Sequence, residues 1–438
     1  MKTSVEEISS VKKKLLVEVE AEEVNRKLNE AYRNLGKQAK IRGFRRGKIP
    51  RKILEQYFGE QVVEDVARGL VSETLPVAVE ETKAYPLSMP MVENEALRAG
   101  QNFRYAAIVE VKPVFELKDY TGLAVEKEAI SVTDDDVNQQ LEEIRRANGT
   151  LKSLEEQRGI QEEDYVVLEY EAFEAGKALE GVKAQNFMLR VGSHDFHPEF
   201  EKKLIGLRTG ETEEIEVDFE EAYFHRGLAG KKASFRVKIV DVKVMELPEL
   251  DDTFAESLGA DFPDLETLKA KVKEELIAKE EKRIDTELKK RLLKKISDTV
   301  DFELPESLVE SEIRFSIENV KQNLMRIGGS MEKAGFTEAK LRQDFRPASE
   351  KRVKDLLILG EIARQNDLTI SEPELLEGFK DLAERSGQEA EVLQRYYEAK
   401  QLTDAFKEKL LEEKTLNYLV KAANISEVDA AHINREKG

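Results

Sequence analysis

The sequence predicts an α+β multidomain chain, and three observations lead there. At 438 residues it is too long for one ordinary core, so several domains are expected. Its hydrophobic pattern changes twice, from mixed, to two-residue alternation, to helical spacing. Its composition, 40% hydrophobic and 36% charged with mean hydropathy -0.53, supplies cores while leaving highly polar surfaces on long helices. No run approaches the ~20 apolar residues of a membrane span. The start, MKTSVEEISSVKKKLLVEVE, lacks the unbroken apolar stretch of a secretory signal, so the mature chain is expected to begin near Met1 and to stay in the cytoplasm. With no cysteine, disulfides and thiolate metal sites are excluded, which fits a reducing compartment.

Residues 1–112 form the first expected domain, of α+β type. KLLVEVE alternates with period two, as a half-buried strand does, and Ala21 to Ala39 places Val24, Leu28, Ala31 and Leu35 at helical spacing,. A basic loop follows. PRKILEQYF then restarts a helix with Pro50 near its first turn, where a missing N–H costs nothing. Helical text runs through Val79, YPLSMPM breaks it, and NFRYAAIVEVKPVFEL reads as strand,.

Residues 150–245 are β-rich. YVVLEYEAF, NFMLRVG, ETEEIEVDF and KASFRVKIVDVKV are separated by glycine-containing turns, with one short helix at PEFEKKLIG, predicting an antiparallel sheet wrapped on a helix. From Pro248 the text is helical almost to the end. Its longest run, Leu265 to Val300, spaces Leu265, Leu268, Val272, Leu276, Ile284, Leu288, Leu292 and Ile296 along one face,. Ser371 and Glu374 are spaced as a capping box, and RIGGS and RSGQ read as turns. Residues 246–438 therefore form an all-α domain. Between these regions, residues 113–149 are a linker containing a short helix capped by Thr133 or Asp134 and bearing Val137, Leu141 and Ile144,. That apolar face needs a partner. If the partner is the helical tail, the β-rich region is an insertion.

The basic loop departs from the rest of an acidic chain with net charge -19. From Ala31 to Leu54 there is no acidic residue, and Phe44 stands beside Arg45 and Arg46 between Gly43 and Gly47, ahead of Lys48 and Pro50. A charge run is most simply a solvated surface. Charge does not account for Phe44. An aromatic in a glycine-bounded loop folds back or is offered to a partner, and guanidinium groups suit phosphate or carboxylate recognition. RNA, a ribonucleoprotein surface and an acidic protein all fit. The acidic chain as a whole argues against a general nucleic-acid coat, and nothing points to specific DNA.

GFRRGKIP, Gly43 to Pro50, resembles the ribosome-docking signature of the bacterial trigger factor family, and the order of textures is similar over the full length. The resemblance implies an N-terminal ribosome-docking domain, an FKBP-like antiparallel domain and an all-α two-armed body. It implies an ATP-independent chaperone that docks at the exit tunnel of the large ribosomal subunit and shields nascent and unfolded polypeptides. A homodimer of the free chain is compatible with it. The docking residues carry over onto Phe44, Arg45 and Arg46. Arg46 stands where the family more often has lysine, which keeps the charge.

DYVVLEY, LEGVKAQNFMLRVG, FHPEFEKKLIGLRTGE and EAYFHRGLAGKKASF are similar to successive FKBP segments, including a Gly-Glu turn at Gly210 and Glu211. By that resemblance the isomerase pocket uses Tyr170, Leu179, Glu180, Phe187, Phe196, His197, Phe200, Tyr223 and Phe235, with the His197 backbone N–H open to a peptide carbonyl. Prolyl isomerisation needs no metal or cofactor, because the barrier lies in the X–Pro amide itself. Several positions depart from the family: Tyr170-Glu171-Ala172 replaces Phe-Thr-Gly, Leu179 replaces an aromatic, and the stretch from His197 to Phe200 lacks a glycine. Weak peptidyl-prolyl isomerase activity is therefore expected. His194, His197 and His225 lack a supporting ligand pattern and read as surface or rim residues.

Overall fold

The structure, a computed structural model, describes residues 1–438 except 43, 46, 156–157, 222, 224–226, 333 and 430–438, and of Glu180 only the backbone. The chain divides into two compact units, Met1–Glu128 with Asp285–Gly438, and Ala129–Ile284.

The first unit opens with β1 (Lys2–Glu7), β2 (Lys12–Val19), α1 (Ala21–Gln38), α2 (Arg51–Thr82), β3 (Met91–Asn94) and β4 (Phe103–Glu110). The strands form an antiparallel sheet in the order β1-β2-β4-β3. Period-two burial puts Leu15, Val17 and Val19 of β2 on one face, with Phe103, Tyr105, Ala107 and Val109 of β4,. Val24, Leu28 and Tyr32 of α1 and Leu54, Val62, Val66 and Leu70 of α2 close over that face. The loop between α1 and α2 thus hangs from two helices anchored in one core. After β4 the chain passes Phe115, stacked on Phe302 at 4.0 Å between centroids, and reaches β5 (Ala124–Glu128).

The second unit contains α3 (Asp134–Ala147), β6 (Thr150–Ser153), β7 (Tyr165–Glu174), β8 (Lys177–Arg190), α4 (Pro198–Leu204), β9 (Thr212–Asp218), β10 (Lys232–Glu246), α5 (Asp252–Leu258) and the start of α6 (Leu265–Ser297). Thr133 caps α3 in a capping box with Asp136,. Val137 and Leu141 of α3 bury against Phe254 and Ala255 of α5 and Leu268 and Val272 of α6. The sheet runs β6-β10-β7-β8, with β9 also on β10, and all its pairs are antiparallel. An irregularity between Ile239 and Asp241 bends β10; its first half pairs with β9 and its end with β6,. Phe200 and Leu204 of α4 fill the concave side against Ile215, Val217, Phe235 and Val237. At Gly159 a Cβ would lie 2.6 Å from the Gly206 carbonyl oxygen, so only glycine permits this approach of two loops.

Along α6 the anticipated stripe is covered: Leu268, Val272, Ile284, Leu288, Leu292 and Ile296 are buried, and Leu265 and Leu276 partly so. The first unit resumes with α7 (Glu306–Arg326), α8 (Glu338–Gln365), α9 (Glu372–Ser386), α10 (Ala390–Ala399), α11 (Thr403–Ala422) and β11 (Asn424–Val428). Helices α7 and α8 form a hairpin, joined by Val309, Ile313 and Ile317 against Leu341 and Val353 and by Arg342 and Arg346 paired with Glu310 and Glu306. Leu375, Phe379, Leu393 and Phe406 hold α9, α10 and α11 together. Two features differ from the sequence reading. Residues 113–149 contain a strand, β5, and the tail is not wholly helical, because β11 pairs with β5 in parallel. No helix among the described residues is long and apolar enough to cross a membrane.

Candidate functional site

The first candidate is the loop between α1 and α2. Ile41 and Ile49 are partly buried against the first core and pin its two sides. Backbone bonds then shape the tip. The Phe44 N–H donates to the Ile41 carbonyl at 3.1 Å, Lys48 N–H to Arg45 at 3.0 Å, and Gly47 N–H to Gly36 of α1 at 3.0 Å. Gly47 has φ 78°, the left-handed region that glycine enters without strain. Held this way, Phe44 stays 40% exposed, and Arg45 and Lys48 are exposed. Neither cation has an ion pair among the described residues. Arg51, by contrast, is used internally: it lies 5.0 Å from the centroid of Tyr32 and bonds to Glu55 and Asn29. Pro50 is the N-cap of α2. Gly43 and Arg46 lie outside the described residues.

The second candidate is an aromatic cluster on the concave side of the second unit's sheet. Phe200 and Phe235 are fully buried and form its floor, 5.3 Å apart. Tyr170, Phe187, Phe196 and Tyr223 are partly buried around them, as is Leu179. Phe196 is the hub, with centroids 4.5 Å from Phe200, 5.7 Å from Phe235, 5.8 Å from Tyr170 and 6.2 Å from Phe187. Tilted and edge-to-face contacts are the favoured geometries of aromatic pairs, and here they join a fully buried floor to partly buried walls.

Irregular backbone aims these side chains. Between β7 and β8 the register slips at Leu168/Tyr170 and again at Glu171/Phe173. The slips accompany Asn186 at φ 53° and Gly181 at φ 82°. Bulges of this kind turn a side chain toward a site, and here they serve Phe187 and the stretch bearing Leu179. His197 caps α4, its Nδ1 accepting the Glu199 N–H at 3.3 Å. Its ring lies 5.1 Å from Phe219 and 6.1 Å from Tyr223. The His197 backbone N–H has no acceptor among the described residues. Burial raises the Tyr170 hydroxyl above tyrosine's ordinary range. Burial first, then Tyr170 and Glu201, does the same for Tyr223, so both present neutral O–H groups.

Of the residues expected in the pocket, Tyr170, Leu179, Phe187, Phe196, His197, Phe200, Tyr223 and Phe235 come together; the Glu180 side chain lies outside the described residues. Two neighbours were not anticipated. Phe219 touches His197, Tyr223 and Phe235, at 4.6 Å from Tyr223, and the alternation Ile215, Val217, Phe219 marks it as inward-facing. Glu201 is a buried carboxylate, 2% exposed, to which no local pattern points. His194 is exposed and His225 lies outside the described residues. Among the described residues no group of His, Cys, Asp or Glu is gathered to hold a metal ion.

Comparison with known proteins agrees across the chain. The profile described as "Bacterial trigger factor protein (TF)" matches residues 1–144, its C-terminal counterpart matches 264–421, and "FKBP-type peptidyl-prolyl cis-trans isomerase" matches 156–240. The trigger factor of Geotalea uraniireducens is 35% identical over 99% of this chain and 100% of its own length. That of Citrifermentans bemidjiense is 36% identical over 99% and 100%. A solved structure titled "Promiscuous Substrate Recognition in Folding and Assembly Activities of the Trigger Factor Chaperone" is similar in fold, with TM-score 0.51 and 21% identity over 96% of this chain and 99% of that one. The chain belongs to the bacterial trigger factor family, ribosome-associated chaperones with an FKBP-type peptidyl-prolyl isomerase domain.

Proposed function

We propose that this chaperone works in the cytoplasm, docks on the large ribosomal subunit beside the exit tunnel through Phe44, Arg45, Arg46 and Lys48, and takes up emerging chains on its helical arms without ATP. The observation that supports docking most directly is Phe44, 40% exposed on a backbone-clamped tip beside Arg45 and Lys48, cations with no ion pair among the described residues. The ring supplies an apolar anchor, and the guanidinium groups supply charge-assisted bonds to phosphate or carboxylate. Support for client binding comes from the arms. Phe315, Met325, Ile327 and Phe336 on and beside the α7–α8 hairpin are exposed, as are Leu376, Val392 and Tyr396 of α9 and α10. Exposed apolar side chains in such number suit an unfolded polypeptide.

The aromatic cluster acts on X–Pro bonds by stripping water from the amide. Resonance gives the planar bond a barrier of about 18–20 kcal/mol, and an apolar site disfavours the charge-separated planar form relative to the twisted one. The His197 N–H bonds the substrate carbonyl, and Phe196 and Tyr170 cover the proline. Tyr170 brings a hydroxyl where the family has phenylalanine and makes this pocket less apolar, and Leu179 offers a smaller wall than an aromatic, so turnover on short peptides is weak. Docking is tested by cosedimentation with intact ribosomes at rising salt. Phe44→Ala with Arg45→Ala should weaken binding at least about 30-fold, taking about 2 kcal/mol or more for a lost anchor, with far-UV circular dichroism unchanged. Undiminished binding refutes the docking assignment.

A further inference from the structure

We propose that Glu201 is the positioning residue of the isomerase pocket, holding in place the turn that presents Phe196 and the His197 N–H; this rests on the isomerase reading. Three alternate backbone N–H groups converge on its carboxylate. Oε2 accepts from Gly192 at 2.8 Å and His194 at 3.1 Å, and Oε1 accepts from Phe196 at 3.1 Å. The Asp195 N–H between them turns to Ser193 Oγ at 3.2 Å. The turn is not one the backbone adopts unaided. His194 stands at φ 61°, a region disfavoured for a residue with a Cβ, and the charge-assisted bonds offset that strain.

Glu201 is in turn fixed from below. It follows Phe200 on α4, its N–H donates to the His197 carbonyl at 3.0 Å, and it is 2% exposed. One side chain therefore ties α4, rooted in the core, to the turn one residue before His197. Phe196 is the ring that touches Tyr170, Phe187, Phe200 and Phe235. Moving the 192–196 turn moves both the pocket's central wall and the His197 N–H that would meet a peptide carbonyl. The carboxylate supplies acceptors to all three N–H groups at once. A glutamine of the same shape has one oxygen, and its NH2 would face an N–H.

The test uses the full-length chain and a proline-containing tetrapeptide. Glu201→Gln should lower kcat/KM about 10- to 100-fold, as expected when buried charge-assisted bonds are replaced by a donor–donor clash. Most of the loss should fall on kcat, because the His197 N–H acts on the twisted amide. Amide exchange should accelerate at Gly192, His194 and Phe196, with Phe235 and Val237 of β10 still protected and thermal unfolding showing the domain folded at the assay temperature. A folded Glu201→Gln chain with wild-type turnover overturns the role while leaving the isomerase reading intact. A wild-type chain with no turnover overturns the isomerase reading and this role with it. Equal losses in kcat/KM and in protection across the whole sheet assign Glu201 to general stability and also overturn it.

Discussion

Removing residues 151–245 and joining Thr150 to Glu246 through two glycines should leave a folded chaperone. Thr150 and Glu246 are register partners on β6 and β10, and facing residues of an antiparallel ladder have Cα atoms about 4.5–5.5 Å apart. A two-residue loop closes such a pair in any hairpin. What remains keeps its own core. Val137 and Leu141 still bury against Phe254, Ala255, Leu268 and Val272, Arg145 Nε still donates to the Pro248 carbonyl at 2.6 Å, and Lys273 still reaches Asp134 at 3.0 Å. At the seam, the Met245 side chain no longer covers Gly149. A half-buried methionine is worth about 1 kcal/mol, small against the roughly 5–15 kcal/mol of a domain. The midpoint of the remaining unfolding transition should therefore move by only about 2–4 °C. Light scattering during refolding of a denatured client should show aggregation still suppressed, and ribosome cosedimentation should persist. An unfolded deletion refutes the insertion reading. A folded deletion that leaves aggregation unsuppressed places client binding in the β-rich domain and removes it from the helical arms.

Asp164→Ala should destabilise the isomerase domain by about 3 kcal/mol, the low end for breaking a buried pair, because Arg158 holds both carboxylate oxygens at 2.6 and 2.8 Å while keeping part of its surface in water; calorimetry reads the shift, and an unchanged transition refutes it. Glu374, bonded to Lys414 and to Ser371 at the start of α9, has its pKa lowered from 4.5 to about 2. A lowered folded-state pKa means stability fully present above about 4.5 and lost as pH falls toward 2, so acid unfolding of the helical body should be shallower over that window in Glu374→Gln; an identical acid profile excludes the linkage.

The architecture was legible wherever one face of one element is buried. In β2 the buried residues alternate, in β4 they do so apart from Ala106, and along α6 the stripe from Leu268 to Ile296 reads directly from spacing. Thr133 announces its helix start through the oxygen it offers to the Asp136 N–H,, and Ser371 through the spacing that lets the Glu374 carboxylate accept from its N–H and O–H,. The β5–β11 pair was not legible. Ala124 faces Asn424 and Glu128 faces Val428, and a two-stranded parallel pair between distant segments has neither a hairpin turn nor an alternating core face to mark it.

The sites divide along the same physical line, and α4 makes the division plain. The basic loop stands out because its chemistry is concentrated in adjacent residues. The aromatic wall is reached only through the resemblance to FKBP segments, because Tyr170, Phe187, Phe200 and Phe235 lie on four separate elements and each alone reads as a core aromatic. Glu199 and Glu201 flank Phe200 in the same short helix and are identical in local text, yet Glu199 is exposed and Glu201 is buried to 2%. Successive helical residues are rotated by about 100°, so the two carboxylates leave opposite flanks of the buried face. Which flank meets water depends on the path of residues 192–196, whose N–H groups point inward with Gly192 at φ 91° and His194 at φ 61°, the second a region disfavoured for a residue with a Cβ and offset by its bond to Glu201,. Burying a carboxylate without partners would cost several kcal/mol. The turn and Glu201 therefore each supply what the other lacks, and neither half of that pairing is visible in its own sequence window.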